Sequence, residues 1–237
     1  MTKQRQKALF NWSGGKDSSL CLYHALKDEQ FDIQYLLTTL NDKYKRVSMH
    51  GVSENLLDEQ AKSIGLPLRK IHLPEFPSMG EYETIISKEL EEAKSRDINI
   101  SIFGDIFLED LREYREKQLA RKGFKAVFPL WERDTKELAK EFIDLGFKTI
   151  IVSIDSRYLD RSFAGRIFDE SFLSDLPDNV DPCGENGEFH SFTFDGPLFK
   201  YPVQFEKGDV VYKEYKSAAK DGPKEDIGFW YCDLLAK

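Results

Sequence analysis

The residues best suited to chemistry gather in one short stretch, Asn11-Trp12-Ser13-Gly14-Gly15-Lys16-Asp17-Ser18-Ser19. A short apolar run, Ala8–Trp12, leads into it and a helical pattern follows, so it reads as a strand-to-helix turn. Such a turn is an anion cradle. Gly14 and Gly15 tolerate positive φ and let backbone N–H groups approach a phosphate. The start of the following helix adds partial positive charge. Lys16 adds a full charge, and Ser13, Ser18 and Ser19 add hydroxyl donors. Asp17 is the odd member, because a carboxylate repels phosphate; it fits if it holds a Mg²⁺ ion that bridges to the phosphates. The spacing differs from the GxxxxGK[ST] loop that cradles β- and γ-phosphates. The plainer alternative is an ordinary Gly-rich turn.

Other candidates lie where further apolar runs end. Thr38 and Thr39 close the second run, and Gly104-Asp105 follow the fourth. In open parallel sheets, ligands collect at the carboxyl ends of strands where the strand order reverses. Gly104 would let backbone approach a phosphate or ribose. Asp105 would bind Mg²⁺ or a ribose hydroxyl, or would cap a helix starting at Ile106. Arg112 and Arg115 stand one turn apart, suited to gripping a substrate carboxylate or an anionic leaving group. The alternative is a solvated face paired with Glu109 and Glu116. Trp131 either shapes a substrate pocket or anchors the core. Glu188 and His190 are two apart in a strand-like stretch, so they share a face, and either one is a candidate proton acceptor. Glu185 sits on the substrate side of the same Gly-containing loop. Cys183 lies there too, but no second cysteine stands near it in sequence, and a catalytic thiol is not expected.

Regular alternation must position these residues. Apolar runs at Ala8–Trp12, Ile33–Leu40, Leu68–Leu73, Asn99–Phe103, Lys125–Phe128 and Lys148–Ile154 predict six parallel strands covered on both faces. Between them, Leu57/Ala61/Ile64, Tyr82/Ile86/Leu90/Ala93, Phe107/Leu111/Tyr114 and Leu138/Phe142/Leu145 have helical spacing. Ser53 and Asp134 are candidate N-caps, and Gly65 is a stop signal. The pattern is that of an α/β domain over 1–155, followed by a smaller α+β domain over 156–237. The charged stretch Lys213–Asp226 reads as a mobile loop.

The chain has 237 residues and a net charge of −8, which disfavours a broad surface for nucleic acid. Its three cysteines form no CxxC pair, so neither a disulfide framework nor a cysteine zinc site is expected. No apolar run has membrane-spanning length and the start lacks a secretory pattern, so the expected location is the cytoplasm.

The Ser-Gly-Gly-Lys-Asp-Ser run at 13–18 resembles the PP-loop of N-type ATP pyrophosphatases. That resemblance implies a HUP-type sheet of order 3-2-1-4-5 and cleavage of ATP between the α- and β-phosphates. It also implies that adenine lies beside the strand ending at Thr39. The chain as a whole is similar to the diphthine–ammonia ligase family, also called the diphthamide synthase ATP-binding domain family. The similarity rests on the loop, on Met49-His50-Gly51, on Phe103–Ile106 and Phe128–Trp131, and on Gly187–Phe192 with Asp195-Gly196-Pro197. It places His50 at the nucleotide or substrate site. It implies an ATP- and Mg²⁺-dependent ligase that adenylates a carboxylate and transfers ammonia to it, releasing AMP and pyrophosphate. In the family's named reaction the carboxylate belongs to a modified histidine of a translation elongation factor. Family ligases tend to carry Gly-Ala-Ile where this chain has Gly104-Asp105-Ile106, and 109–116 also differs. Those departures imply a divergent branch with a changed acyl substrate. No glutaminase segment is evident, so free ammonia or a separate subunit would supply nitrogen; a homodimer is compatible. The competing readings are a PP-loop tRNA thiolase and a non-catalytic adenine-nucleotide sensor.

Overall fold

The computed structural model describes residues 5–47, 51–75, 77–215 and 227–237. The chain starts with β1 (Gln6–Asn11), α1 (Lys16–Lys27) and β2 (Phe31–Asn41), and a two-residue strand, β3 (Arg46–Val47), folds back antiparallel on β2. Next come α2 (Glu54–Ile64), β4 (Leu68–Leu73), α3 (Met79–Ser95), β5 (Ile100–Ile102), α4 (Glu109–Arg121) and β6 (Lys125–Val127). The parallel strands lie in the order β4-β2-β1-β5-β6. Counted along the chain, that is the expected 3-2-1-4-5.

Strand periodicity divides the core. Phe10 and Leu36 face one side with Leu22 of α1 and Leu57 of α2, while Leu9 and Tyr35 face the other with Leu90 of α3 and Leu119 of α4. Helix ends follow local signals. Gly65 closes α2 at φ 87, a left-handed conformation that glycine adopts without strain. Asp134 accepts from the Glu137 N–H at 2.9 Å and opens α5 (Thr135–Asp144). Ser78 and Glu81 form a reciprocal capping box on α3.

The sixth apolar run does not extend the parallel sheet. It forms β7 (Lys148–Asp155), which joins a second, antiparallel sheet. After α6 (Glu170–Asp175), that sheet is completed by β8 (Phe189–Asp195), β9 (Phe205–Tyr215) and β10 (Ile227–Ala236), in the order β8-β7-β10-β9. The misreading has a physical cause. Every residue of β7 from Thr149 to Asp155 is buried, so the run looks doubly covered whichever sheet it enters. The stretch expected as a loop from Lys213 begins instead as the last residues of β9, and 216–226 lie outside the described residues.

Both sheets share one hydrophobic cluster, in which Phe10, Leu57, Ile151 and Phe192 are fully buried. Backbone ties them as well. The Thr193 N–H on β8 donates to the Gly14 carbonyl at 2.9 Å. The second sheet thus flanks the Gly-rich turn directly. No helix among the described residues is long and apolar enough to cross a membrane.

Candidate active site

The Gly-rich turn closes β1 and opens α1, with Gly15 at the N-cap. Gly14 has φ +81, and a Cβ there would stand 2.8 Å from Gln60 Oε1 and 2.9 Å from Leu57 Cδ2, so the position admits only glycine. The turn is internally bonded. Ser13 Oγ donates to Ser18 Oγ at 3.0 Å, and Ser18 Oγ and Ser19 Oγ donate to the Gly15 carbonyl at 2.9 and 2.8 Å. Asn11 holds the neighbouring strand ends together: its Nδ2 donates to Ser101 Oγ at 2.8 Å and to the Ile102 carbonyl at 2.9 Å. In the first turn of α1, the Asp17 and Ser18 N–H groups lack intrahelical acceptors by geometry and point toward the turn's open side.

Lys16 is buried. Its ammonium pairs with Asp17 Oδ1 at 2.6 Å, donates to the Cys183 carbonyl, and lies 5.8 and 5.6 Å from the ring centroids of Phe168 and Phe189. Burial alone would lower its pKa. The negative field of Asp17, with Cys183 and Glu185 nearby, outweighs burial and raises it, so the charge persists at neutral pH.

A cavity of about 490 Å³ opens beside this turn at the carboxyl ends of β1, β2 and β5. The turn and Asn11 form its floor. Leu37, Thr38 and Thr39 form one wall, and Phe103, Gly104, Asp105 and Arg115 the opposite one. Glu185, Gly187, Phe189, His190 and Ser191 close the third side from the second sheet. This is the switch point of the parallel sheet, where β2 and β5 depart to opposite sides of β1. Gly104 sits close to the turn, because a Cβ there would stand 3.2 Å from the Asp17 carbonyl oxygen, tighter than ordinary contact.

Carboxylates crowd the cavity. Arg115 grips Asp105 with Nε–Oδ2 at 3.0 Å and Nη2–Oδ1 at 3.2 Å. Burial, helped by Asp17 and opposed by Arg115, still pushes the Asp105 carboxyl up. Glu185 Oε1 accepts from the Ile106 N–H at 2.7 Å. Burial first, then the Asp17 charge, lifts the Glu185 carboxyl from its ordinary 4.5 to about 7. The folded chain therefore keeps a proton between pH 4.5 and about 7 that the unfolded chain releases. Stability should fall as pH rises through that window. Glu185→Gln should remove the fall and gain on the order of 2 kcal/mol at about pH 8. Thermal melts of both proteins at about pH 5 and about pH 8 check this; an unchanged pH slope in the variant would assign the proton elsewhere.

The remaining candidates separate. Asp105 caps no helix: α4 begins at Glu109, because the Ile106 amide is taken by Glu185. Arg112 and Arg115 diverge. Arg112 pairs with Glu116 at 2.9 Å and lies 4.4 Å from the Trp131 ring centroid, and neither Arg112 nor Trp131 lines the cavity. Glu188 precedes β8 rather than sharing a strand face with His190, and it is buried away from the cavity. Its Oε1 accepts from the Asp181 N–H and from Asn186 Nδ2, both at 3.0 Å. Asp181 Oδ1 in turn accepts from the N–H groups of Cys183 at 2.9 Å and Glu185 at 3.2 Å. Two carboxylates thus build the loop that presents Glu185 to the cavity and the Cys183 carbonyl to Lys16. His50 lies outside the described residues. Burial drives the Cys183 thiol up to about 12, and its Sγ donates to the Thr135 carbonyl at 3.3 Å.

Sequence reasoning did not single out Asn11 and Ser191, which line the cavity, or Gln60, which braces its turn. Gln60 carried a signal, being a polar residue on the apolar stripe of α2 beside Leu56, Leu57 and Ala61.

Comparison with known proteins adds family evidence. The model for the diphthamide synthase N-terminal domain matches residues 6–126, and that for the diphthamide synthase C-terminal domain matches 134–220. A diphthine–ammonia ligase of Schizosaccharomyces pombe is 25% identical over 238 residues, covering 90% of this chain and 39% of that protein. The diphthine–ammonia ligase of Homo sapiens is 26% identical over 186 residues, covering 72% of this chain and 70% of its own length. This chain therefore spans well under half of the fission yeast relative. Among solved structures, a U34-tRNA thiolase from Methanococcus maripaludis with its [4Fe-4S] cluster aligns with a TM-score of 0.36 at 17% identity. That alignment covers 61% of this chain and 58% of the thiolase.

Proposed function

The chain belongs to the diphthamide synthase family, and on that premise we propose that it is an ATP-dependent ligase that adenylates a substrate carboxylate and amidates it with ammonia. One observation carries the reading. The cavity at the sheet's switch point has the 13–18 turn and the first turn of α1 on its floor and a buried, charged Lys16 beside them. This is a site for a polyanion, with room beyond it for a second reactant.

The residues divide the work. Thr38 and Thr39 flank the end of the cavity suited to adenine. The turn and Lys16 bind and orient the phosphates, with the α-phosphorus presented to the incoming carboxylate. The carboxylate oxygen attacks that phosphorus and pyrophosphate leaves; ammonia then attacks the acyl carbon and AMP leaves. Glu185 and His190, which face the cavity, are placed to take the proton that ammonium must lose. Glu188 builds the loop that carries Glu185.

Among the described residues, no group of three or more His, Cys, Asp or Glu side chains is placed to hold a metal alone. Mg²⁺ asks for less, since it keeps several waters and takes one or two carboxylates plus phosphate oxygens. Asp17, Asp105 and Glu185 line the same cavity, and such carboxylates suit a cation shared with phosphate oxygens. Asp17 would hold the ion, which would neutralise the charge of the leaving pyrophosphate. The buried Cys183 thiol does not offer the thiolate that sulfur transfer requires.

The test is product analysis with α-labelled ATP, Mg²⁺ and ammonium, supplied with diphthine-bearing elongation factor and, separately, with pooled small carboxylates. AMP and pyrophosphate that depend on the acyl substrate are expected. ADP and phosphate would overturn the reading, as would nucleotide binding without turnover across both substrate sets.

A further inference from the structure

We propose that Ser191, carried by the second sheet, donates a hydrogen bond to the phosphates of the bound nucleotide and so completes the phosphate site from outside the Gly-rich turn. The inference rests on the nucleotide reading above and deepens it. It follows from where each hydroxyl proton goes.

Four serine hydroxyls surround the start of α1. A hydroxyl has one proton to donate and two lone pairs to accept with. Ser13 donates to Ser18 Oγ, and Ser18 and Ser19 both donate to the Gly15 carbonyl. Ser13 Oγ also accepts the Gly15 N–H at 3.3 Å. The three serines that the motif itself supplies have therefore committed their protons inside the turn. Ser191 is different. Its Oγ accepts the Lys16 N–H at 3.1 Å, and among the described residues its proton goes to no protein acceptor.

Ser191 is 3% exposed, so bulk water cannot serve that proton freely, yet the residue lines the cavity on the phosphate side. A buried donor without a partner is costly, and an anionic oxygen is the acceptor that repays it best. The backbone bond at 2.9 Å from Thr193 N to the Gly14 carbonyl holds β8 in register beside the turn. The Lys16 N–H holds the Ser191 oxygen, which leaves the proton to rotate toward the cavity. The second sheet is then part of the nucleotide site as well as of the acyl side.

The experiment is calorimetric binding of the Mg²⁺ complex of α,β-methylene-ATP, and of adenosine, to the full chain. Wild type, Ser191→Ala and Ser191→Thr are compared, with thermal melts of the nucleotide-free proteins alongside. Ser191→Ala should bind the triphosphate about tenfold or more weaker while its affinity for adenosine holds. Ser191→Thr, which keeps the hydroxyl, should stay within about threefold of wild type. Equal triphosphate binding by wild type and Ser191→Ala would overturn the inference and leave the nucleotide reading standing. An equal loss toward adenosine would also overturn it, because the hydroxyl would then serve the shape of the cavity. Failure of wild type to bind the triphosphate would instead sink the nucleotide reading itself.

Discussion

Lys16→Met should lower the rate of ATP cleavage by about a thousandfold while leaving the fold intact. Among the described residues, Lys16 and Arg115 bring full positive charges to the lining of the cavity. Arg115 is paired with Asp105 through one hydrogen bond from Nη2 and a close Nε–Oδ2 contact, whereas Lys16 rises from the turn itself. Lys16 is buried, so water cannot replace its charge when negative charge builds on the leaving pyrophosphate. Methionine keeps an unbranched stem of similar length and removes the ammonium, which lies 5.8 and 5.6 Å from the ring centroids of Phe168 and Phe189. The cost to the resting protein is loss of the Asp17 pair and of the bond to the Cys183 carbonyl. Asp17 is about a third exposed, so solvent screens that pair and the melting temperature should move little. Pyrophosphate release is the readout. A variant that turns over normally would mean the turn does not cradle the scissile phosphates. A variant that fails only because it unfolds would show as a lost melting transition.

The parts of this molecule legible in the sequence are the local ones. A strand, a Gly-rich turn and a helix in succession are one contiguous stretch, so the turn at 13–18 could be read from spacing alone. The five parallel strands were legible because doubly covered strands are continuous apolar runs. The same rule failed at β7, since a doubly buried strand carries no mark of which sheet it joins. The start of α4 failed for a different reason. Asp105 before Ile106 and a stripe from Phe107 suggest a helix start there, but the Ile106 amide is claimed by Glu185 from 79 residues away, and no local pattern encodes that bond.

The same contrast runs through the site. Alternate residues of a strand share a face, which pairs Glu188 with His190 in the sequence, but β8 starts one residue later and Glu188 turns inward to accept from Asp181 N–H and Asn186 Nδ2. Arg112 and Arg115 looked equivalent on a helical projection. Their partners, Trp131 on one side and Asp105 on the other, separate them. Ser191 went unread because its significance depends on a hydrogen bond across 175 residues. What long-range contacts decide is which of several chemically plausible side chains reaches the cavity.

Gln60→Leu should cost about 2–5 kcal/mol and lower the melting temperature by about 5–15 °C. Gln60 is fully buried. Its Oε1 accepts from Trp12 Nε1 at 3.0 Å, and its Nε2 donates to the carbonyls of Gly14 at 2.9 Å and Thr193 at 2.5 Å. One amide thus joins α2 to the Gly-rich turn and to the second sheet. Leucine of similar volume would leave the Trp12 N–H and the Thr193 carbonyl buried without that partner, and each such loss costs about 1–3 kcal/mol. The Gly14 carbonyl would suffer less, because it also accepts from the Thr193 N–H. Gln60→Glu sharpens the test. The introduced carboxyl keeps the acceptor for Trp12 but, when ionised, faces two carbonyl oxygens with no proton to give. Burial and those oxygens would raise its folded pKa above the unfolded value of about 4.3. Its protonated form restores one donor. The variant's deficit relative to wild type should therefore be small below about pH 4 and grow as pH rises through the folded pKa. Thermal melts across that range read it directly. A deficit independent of pH would mean that the amide donor to Gly14 and Thr193 contributes little, and that the Trp12 bond alone holds the turn in place.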